Sequence, residues 1–109
     1  MATAYKVLGQ VAPSATTATA IYTVPSATSA VVSSVTICNR SGTAATFRLS
    51  VRPDGASLAN EHYLVYDTNI DSNDSIILTI GVTMDATDVL EAYASSGDLT
   101  FHAYGSEIS

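Results

Sequence analysis

Residues 45–52 read Ala45-Thr46-Phe47-Arg48-Leu49-Ser50-Val51-Arg52 and give the clearest secondary-structure signal in this chain. Apolar side chains alternate with polar ones, and this period of two is typical of an antiparallel strand with one face in a core and one in water. Phe47 and Leu49 are therefore predicted to be buried, and Arg48 and Arg52 to share the wet face. No stretch of helical length keeps the apolar spacing of an amphipathic helix, so we predict an all-β protein.

Seven further stretches are rich in β-branched and aromatic residues and end at small or turn-forming residues. They cover residues 5–10, 19–24, 30–38, 62–66, 75–80, 89–94 and 99–104. About eight strands at spacings of roughly eight to twelve residues predict a single antiparallel β-sandwich over residues 1–109, of the jelly-roll or immunoglobulin-like type. Residues 11–20 supply little apolar bulk, which makes the segment 1–20 a candidate for an N-terminal arm that a partner holds.

Three connections have the composition of tight turns. Residues 39–42 (Asn-Arg-Ser-Gly) predict a hairpin that pairs the strand at 30–38 with the strand at 45–52. Residues 53–55 (Pro-Asp-Gly) predict that the chain reverses direction there. Residues 95–98 (Ser-Ser-Gly-Asp) are a third hairpin candidate.

The charges are divided unevenly along the chain. All four bases precede Pro53 and all ten acids follow it, and the net charge is −6. The bases are Lys6, Arg40, Arg48 and Arg52. So few bases argue against a nucleic-acid partner, because phosphate binding needs clustered Lys and Arg. If strands from the two halves lie side by side, the charges partly cancel; otherwise a basic patch of Arg40, Arg48 and Arg52 faces an acidic patch of a neighbouring subunit.

The sequence carries no pattern that indicates catalysis. The two histidines, His62 and His102, each lie on a predicted strand outside any nucleophile motif. Asp85, Asp88 and Glu91 form no more than a charge-rich turn followed by a strand. We therefore predict a protein that is not an enzyme, with no catalytic residues and no cofactor.

Metal binding is also disfavoured. The loop at residues 67–74 has oxygen-bearing side chains at alternate positions, but Ser72 replaces the glycine and Leu78 the glutamate that a standard Ca²⁺ loop requires. The single cysteine, Cys38, cannot close an intrachain disulfide and is predicted to be a small buried residue on a strand. No metal site is predicted.

The remaining candidate site is an interaction surface. We predict that the interface residues are Arg40, Arg48, Arg52, Tyr63, Tyr66 and Tyr93. Tyrosine combines a large apolar ring with a polar tip and is frequent at subunit contacts. Exposed tyrosines, with Tyr104 among them, also stack on sugars, so a glycan-binding host-recognition module remains the alternative.

The amino-acid sequence of several stretches resembles a family of small virion structural proteins of tailed bacteriophages. The resemblance lies in residues 20–25 (AIYTVP), 31–40 (VVSSVTICNR), 46–53 (TFRLSVRP) and 90–108, which ends in YGSEI. It implies a capsid decoration or cement protein, or an accessory protein of the neck, tail or fibre. The partners it implies are copies of the chain itself and a major capsid or tail protein, and it transfers no functional residues.

The expected location follows from this resemblance and from the N-terminal sequence. Residues 1–6 show no basic leader and no apolar run before a cleavage site, so no signal peptide is predicted, and no run of eighteen apolar residues predicts a membrane segment. We expect synthesis in the cytoplasm of the host bacterium and a final place in the virion.

Overall fold

The computed structural model describes residues 2–109 and consists of two four-stranded antiparallel sheets. The eight strands are β1 (Thr3–Val11), β2 (Thr19–Thr23), β3 (Ser29–Asn39), β4 (Ala45–Arg52), β5 (Tyr63–Ile70), β6 (Ser75–Met84), β7 (Val89–Ala94) and β8 (Leu99–Ile108). Two single turns of 3₁₀ helix, Pro53–Gly55 and Asn60–His62, lie between β4 and β5. The predicted all-β sandwich is confirmed.

The strand order identifies the type of sandwich. Sheet A runs β1-β8-β3-β6 and sheet B runs β2-β7-β4-β5. Only β4 and β5 are consecutive strands of one sheet, and every other connection passes from one sheet to the other. Eight strands wound in this way form a jelly roll, whereas the immunoglobulin-like sandwich joins several consecutive strands within a sheet.

Two predicted hairpins are wrong because the chain changes sheet at both places. β3 belongs to sheet A and β4 to sheet B, and likewise β7 and β8 lie in different sheets. The buried side chain of Asn39 stabilises the first crossing. Its amide nitrogen donates to the carbonyl oxygens of Thr43 (2.8 Å) and Asp71 (3.2 Å), and its Oδ1 accepts the Ser41 N–H (3.0 Å). These bonds tie the β3–β4 connection to the β5–β6 connection at the same end of the sandwich.

The chain reversal predicted at residues 53–55 is confirmed. β4 pairs with β5 in antiparallel fashion, and between them Asp54 and Gly55 adopt positive φ angles of 54° and 68°. Glycine takes this conformation at little cost, and aspartate is among the side chains that tolerate it best.

The N-terminal segment contributes an edge strand. β1 pairs with β8 along its length, and residues 12–18 then cross to β2 in sheet B. Gly9 is required here, because a Cβ atom at this position would overlap the carbonyl oxygen of Ile21 in β2. Binding of a partner by residues 1–20 stays a prediction.

The core lies between the inner faces of the two sheets. Phe47 and Leu49 of β4 are fully buried, as the alternation predicted. The Phe47 ring meets the Phe101 ring of sheet A edge to face, with centroids 6.1 Å apart and planes at 67°. This geometry suits the quadrupoles of two aromatic rings and joins the two sheets at their centre.

A polar contact also joins the sheets, at the side of the sandwich where β1 and β2 lie. Glu107 of β8 accepts a hydrogen bond from the Tyr22 hydroxyl of β2 and pairs with the Lys6 ammonium of β1 at 2.7 Å. The Lys6 and Tyr22 hydrogen bonds hold the pKa of Glu107 below its usual range. Burial, together with the Glu107 carboxylate, raises the pKa of Tyr22 above its ordinary value. Each group therefore stabilises the other in its neutral-pH form.

Candidate interaction surfaces

The outer face of sheet B carries an arginine held between two tyrosine rings. The Arg48 guanidinium carbon lies 4.2 Å from the Tyr66 ring centroid and 4.4 Å from the Tyr93 ring centroid. Tyr93 is its cross-strand partner on β7, and Tyr66 comes from β5 on the other side. Tyr63 packs edge to face against Tyr66 at 4.9 Å. Cation–π attraction and ring packing thus fix these four side chains as a unit, the arginine–tyrosine cluster.

Asp67 completes this cluster. Its carboxylate accepts hydrogen bonds from Arg48 Nε at 2.7 Å and from a terminal Arg48 nitrogen at 3.3 Å. The bond from Arg48 holds the pKa of Asp67 below its usual range, and the same bond raises the pKa of Arg48. Both groups stay charged at neutral pH and neutralise each other. The cluster therefore presents aromatic surface to solvent more than net positive charge.

The other two arginines are also engaged within the subunit. Arg52 pairs with Glu91 of β7 at 3.0 Å and donates to the carbonyl oxygens of Gly55 and Ala56. Arg40 lies at the end of the sandwich, where it donates to the Thr100 hydroxyl and the Gly97 carbonyl oxygen.

Of the six predicted interface residues, five share the outer face of sheet B and Arg40 does not. The charges of the two halves of the chain partly cancel inside one subunit, so the three arginines form no common basic patch. Partner contact by these residues stays a prediction.

The residues considered for catalysis have local structural roles and do not converge. His62 Nδ1 accepts the Ala59 N–H at 3.0 Å beside the start of β5. His102 lies on the outer face of sheet A, where its Nδ1 is 3.0 Å from the Tyr104 hydroxyl. Asp88 uses both carboxylate oxygens to accept the N–H groups of Asp54 and Asp85, at 2.8 Å each, which closes a turn.

The predicted loop at residues 67–74 is shorter than expected. Residues 67–70 continue β5, because Thr68 and Asn69 pair with β4, and only residues 71–74 form a turn. Asp74 in that turn accepts the Ser75 N–H. Within residues 2–109, no three His, Cys, Asp or Glu side chains come together in a way that would hold a metal ion. The same residues include no helix with the length and apolar character needed to cross a membrane.

The outer face of sheet A is a second candidate surface, and none of the predicted interface residues lies on it. Strand register places three full rows of side chains on it: Tyr5–Ser106–Val31–Thr83, Val7–Tyr104–Ser34–Thr79 and Gln10–His102–Thr36–Ile77. Further side chains extend the face at both ends: Thr3, Ile108 and Ser29, and Thr100, Cys38 and Ser75. We call these residues together the uncharged face, because they contain no Asp, Glu, Lys or Arg.

The uncharged face exposes large apolar side chains. Tyr5 is 86% exposed, Ile77 is 69% exposed and Val7 is 49% exposed. A shallow groove of about 480 Å³ runs between Tyr5 and Tyr104, over Val31 and Gly105. Hydroxyl groups of Ser and Thr occupy most of the remaining surface. A solvated sheet face normally carries charged side chains, so this composition is typical of a surface that another protein covers.

Comparisons with known proteins add no relative to this picture. No protein-family model matches the sequence, and no curated protein matches it. The jelly-roll topology and the two sheet faces are therefore the features that bear on its function.

Proposed function

We propose that this chain is a non-enzymatic structural protein of a bacteriophage virion. It assembles with copies of itself and with a capsid or tail protein, as a decoration or cement protein or as an accessory protein of the neck, tail or fibre. Its location is the virion, and its role is to present surfaces that other subunits cover.

The uncharged face carries this proposal. An acidic protein with a net charge of −6 and ten acidic residues leaves one whole sheet face without an acidic side chain and with Tyr5, Val7 and Ile77 exposed along its two edge strands. Exposed apolar side chains on a face that lacks acids indicate a site of protein association. The jelly roll supports the proposal as well, because it is an architecture of viral capsid domains. The resemblance of the strand sequences to phage virion proteins points in the same direction.

The direct test is to look for the chain in particles. Phage particles produced from the source genome are purified, analysed by mass spectrometry and labelled with gold-conjugated antibody against the chain. We expect the chain in stoichiometric amount and a regular pattern of label on the head or the tail. Intact particles that lack the chain would refute the proposal.

A glycan-binding module is the second candidate, and the arginine–tyrosine cluster favours it. The Tyr66 ring is 58% exposed beside a guanidinium, and exposed rings with fixed polar neighbours suit sugar stacking. Jelly rolls also occur as lectin domains. A glycan array probed with the wild-type chain and with Tyr66→Ala separates the two candidates. Binding that is lost in Tyr66→Ala would favour the glycan-binding module over the structural role.

A further inference from the structure

We infer that a second copy of this chain covers the uncharged face, so that two sheets A pack face to face. This inference rests on the proposed assembly function and adds to it the surface and the partner. Three features of the structure support it: the placement of the charges, the area of the face, and the exposed apolar side chains on it.

The placement of the charges favours sheet A for contact between identical copies. Two chains of net charge −6 repel each other unless their acids stay away from the contact. Three acids pair with bases within the subunit. The other seven lie in the turns and short 3₁₀ segments at the two ends of the sandwich: Asp54, Glu61, Asp71, Asp74, Asp85, Asp88 and Asp98. A contact through the uncharged face therefore buries no acidic side chain of either copy. The nearest charges are the Lys6 ammonium, which lines the groove and pairs with Glu107, and the Arg40 guanidinium, which donates to Thr100.

Sheet B is less suited to such a contact. Its outer face holds the ion pairs Arg48–Asp67 and Arg52–Glu91. Covering them with an identical face would remove water from four charged groups that are already partnered, and that desolvation has a cost.

The area of the face is sufficient for a stable pair. Four strands spaced by about 4.8 Å and about ten residues long at about 3.3 Å each give a face of roughly 19 by 33 Å, or about 600 Å². Two such faces bury about 1,200 Å², which is the lower limit of a specific interface. The molecule measures 45 × 27 × 19 Å, so the sheet faces are its broadest surfaces.

The composition of the face suits an isologous contact, in which the same patch of both copies takes part. Tyr5 and Ile77 stand out from the two edge strands of sheet A, and the groove beside Tyr104 offers a recess. Tyrosine is enriched and acidic residues are depleted in protein interfaces, and the uncharged face shares both properties.

The test combines two charge-inserting variants of the full chain. Ile77→Asp places a carboxylate on the uncharged face, where the contact would bury it without a partner. Leu64→Asp is the matched control, because Leu64 is 48% exposed but lies in β5 of sheet B. Sedimentation equilibrium measures the dissociation constant of each, and circular dichroism verifies that each variant is folded. We expect Ile77→Asp to raise the dissociation constant about 100-fold or more and Leu64→Asp to change it less than about threefold.

Cys38 gives a second readout that needs no substitution. It is the single cysteine of the chain and lies half-buried on the uncharged face. We expect its rate of modification by a maleimide to fall as the protein concentration rises through the dissociation constant. A rate that stays constant while the mass doubles would place the contact elsewhere and refute the inference, even if Ile77→Asp failed to fold.

The outcomes separate this inference from the proposed function. An oligomer that Leu64→Asp dissociates and Ile77→Asp leaves intact would refute the inference and leave the virion role standing. A chain that stays monomeric at millimolar concentration refutes the inference as well, and the particle analysis then decides the virion role independently. Dissociation by Ile77→Asp alone, together with protection of Cys38, supports the inference.

Discussion

Truncation of Phe47 to alanine tests the packing that joins the two sheets. The ring is fully buried and lies 6.1 Å from the Phe101 ring. Loss of the buried ring removes about 2–3 kcal/mol of transfer free energy, and loss of the edge-to-face pair adds about 1 kcal/mol. A cavity that the core cannot fill brings the total to about 3–5 kcal/mol. This is a large fraction of the roughly 5–15 kcal/mol that stabilises a domain of this size.

Urea unfolding followed by far-ultraviolet circular dichroism measures this loss. We expect a lower unfolding midpoint with an unchanged slope, and a melting temperature lower by about 12–20 °C at equal protein concentration. Thr46→Ala, on the opposite face of the same strand, is the matched control and should cost less than about 1 kcal/mol. Phe47→Asp should not fold, because it would bury an unpaired charge. Equal losses for Phe47→Ala and Thr46→Ala would show that the assignment of the two faces of β4 is incorrect.

Three other substitutions test individual contacts. Glu107→Gln should cost about 1 kcal/mol at pH 7. The pKa of Glu107 is lowered in the folded state, so its contribution is present at neutral pH and is lost only as the pH falls through that lowered pKa; the wild type and the variant should converge in urea midpoint in this acid range. Glu91→Gln removes the largely buried carboxylate that pairs with Arg52 on the outer face of sheet B, and it should lower the unfolding free energy by about 1–3 kcal/mol. Equal unfolding free energies of the wild type and the variant in high salt would contradict this, because salt screens exposed charges far more than buried ones. Gly9→Ala should cost about 1–3 kcal/mol because its methyl group meets backbone, whereas Gly42→Ala, with open space around it, should melt within a few degrees of the wild type.

The strands could be predicted from sequence because their signal is local. The alternation in β4 fixed both the element and its buried row, and Phe47 and Leu49 lie where the period of two places them. The strand pairing could not be predicted in the same way. A turn such as residues 39–42 has the same composition whether it closes a hairpin or crosses between sheets. The crossing is stabilised by the hydrogen bond from Asn39 to the carbonyl oxygen of Asp71, a residue 32 positions later.

The interaction surfaces, too, could be predicted from the sequence only in part. Alternation placed Arg48 and Arg52 on one wet face, but their partners Asp67 and Glu91 are brought there by strand pairing. The uncharged face had a signal in the sequence, because the outward positions of β1, β3, β6 and β8 contain no charged residue. That signal has meaning only once the pairing shows that these four distant strands form one surface. The absence of charge on a face that four separated strands build cannot be recognised from any single strand.

The pairing of β1 with β8 has a consequence for synthesis of the protein. Thr3 lies opposite Ile108, and β8 also forms the only bridge between β1 and β3 in sheet A. Closing a chain over this separation is entropically costly, and folds dominated by such distant pairings form in milliseconds to seconds. Thr3 and Ile108 are 105 residues apart, so synthesis at roughly 5–20 residues each second produces β8 about 5–20 s after β1. During that interval β1 has no neighbouring strand to pair with in sheet A.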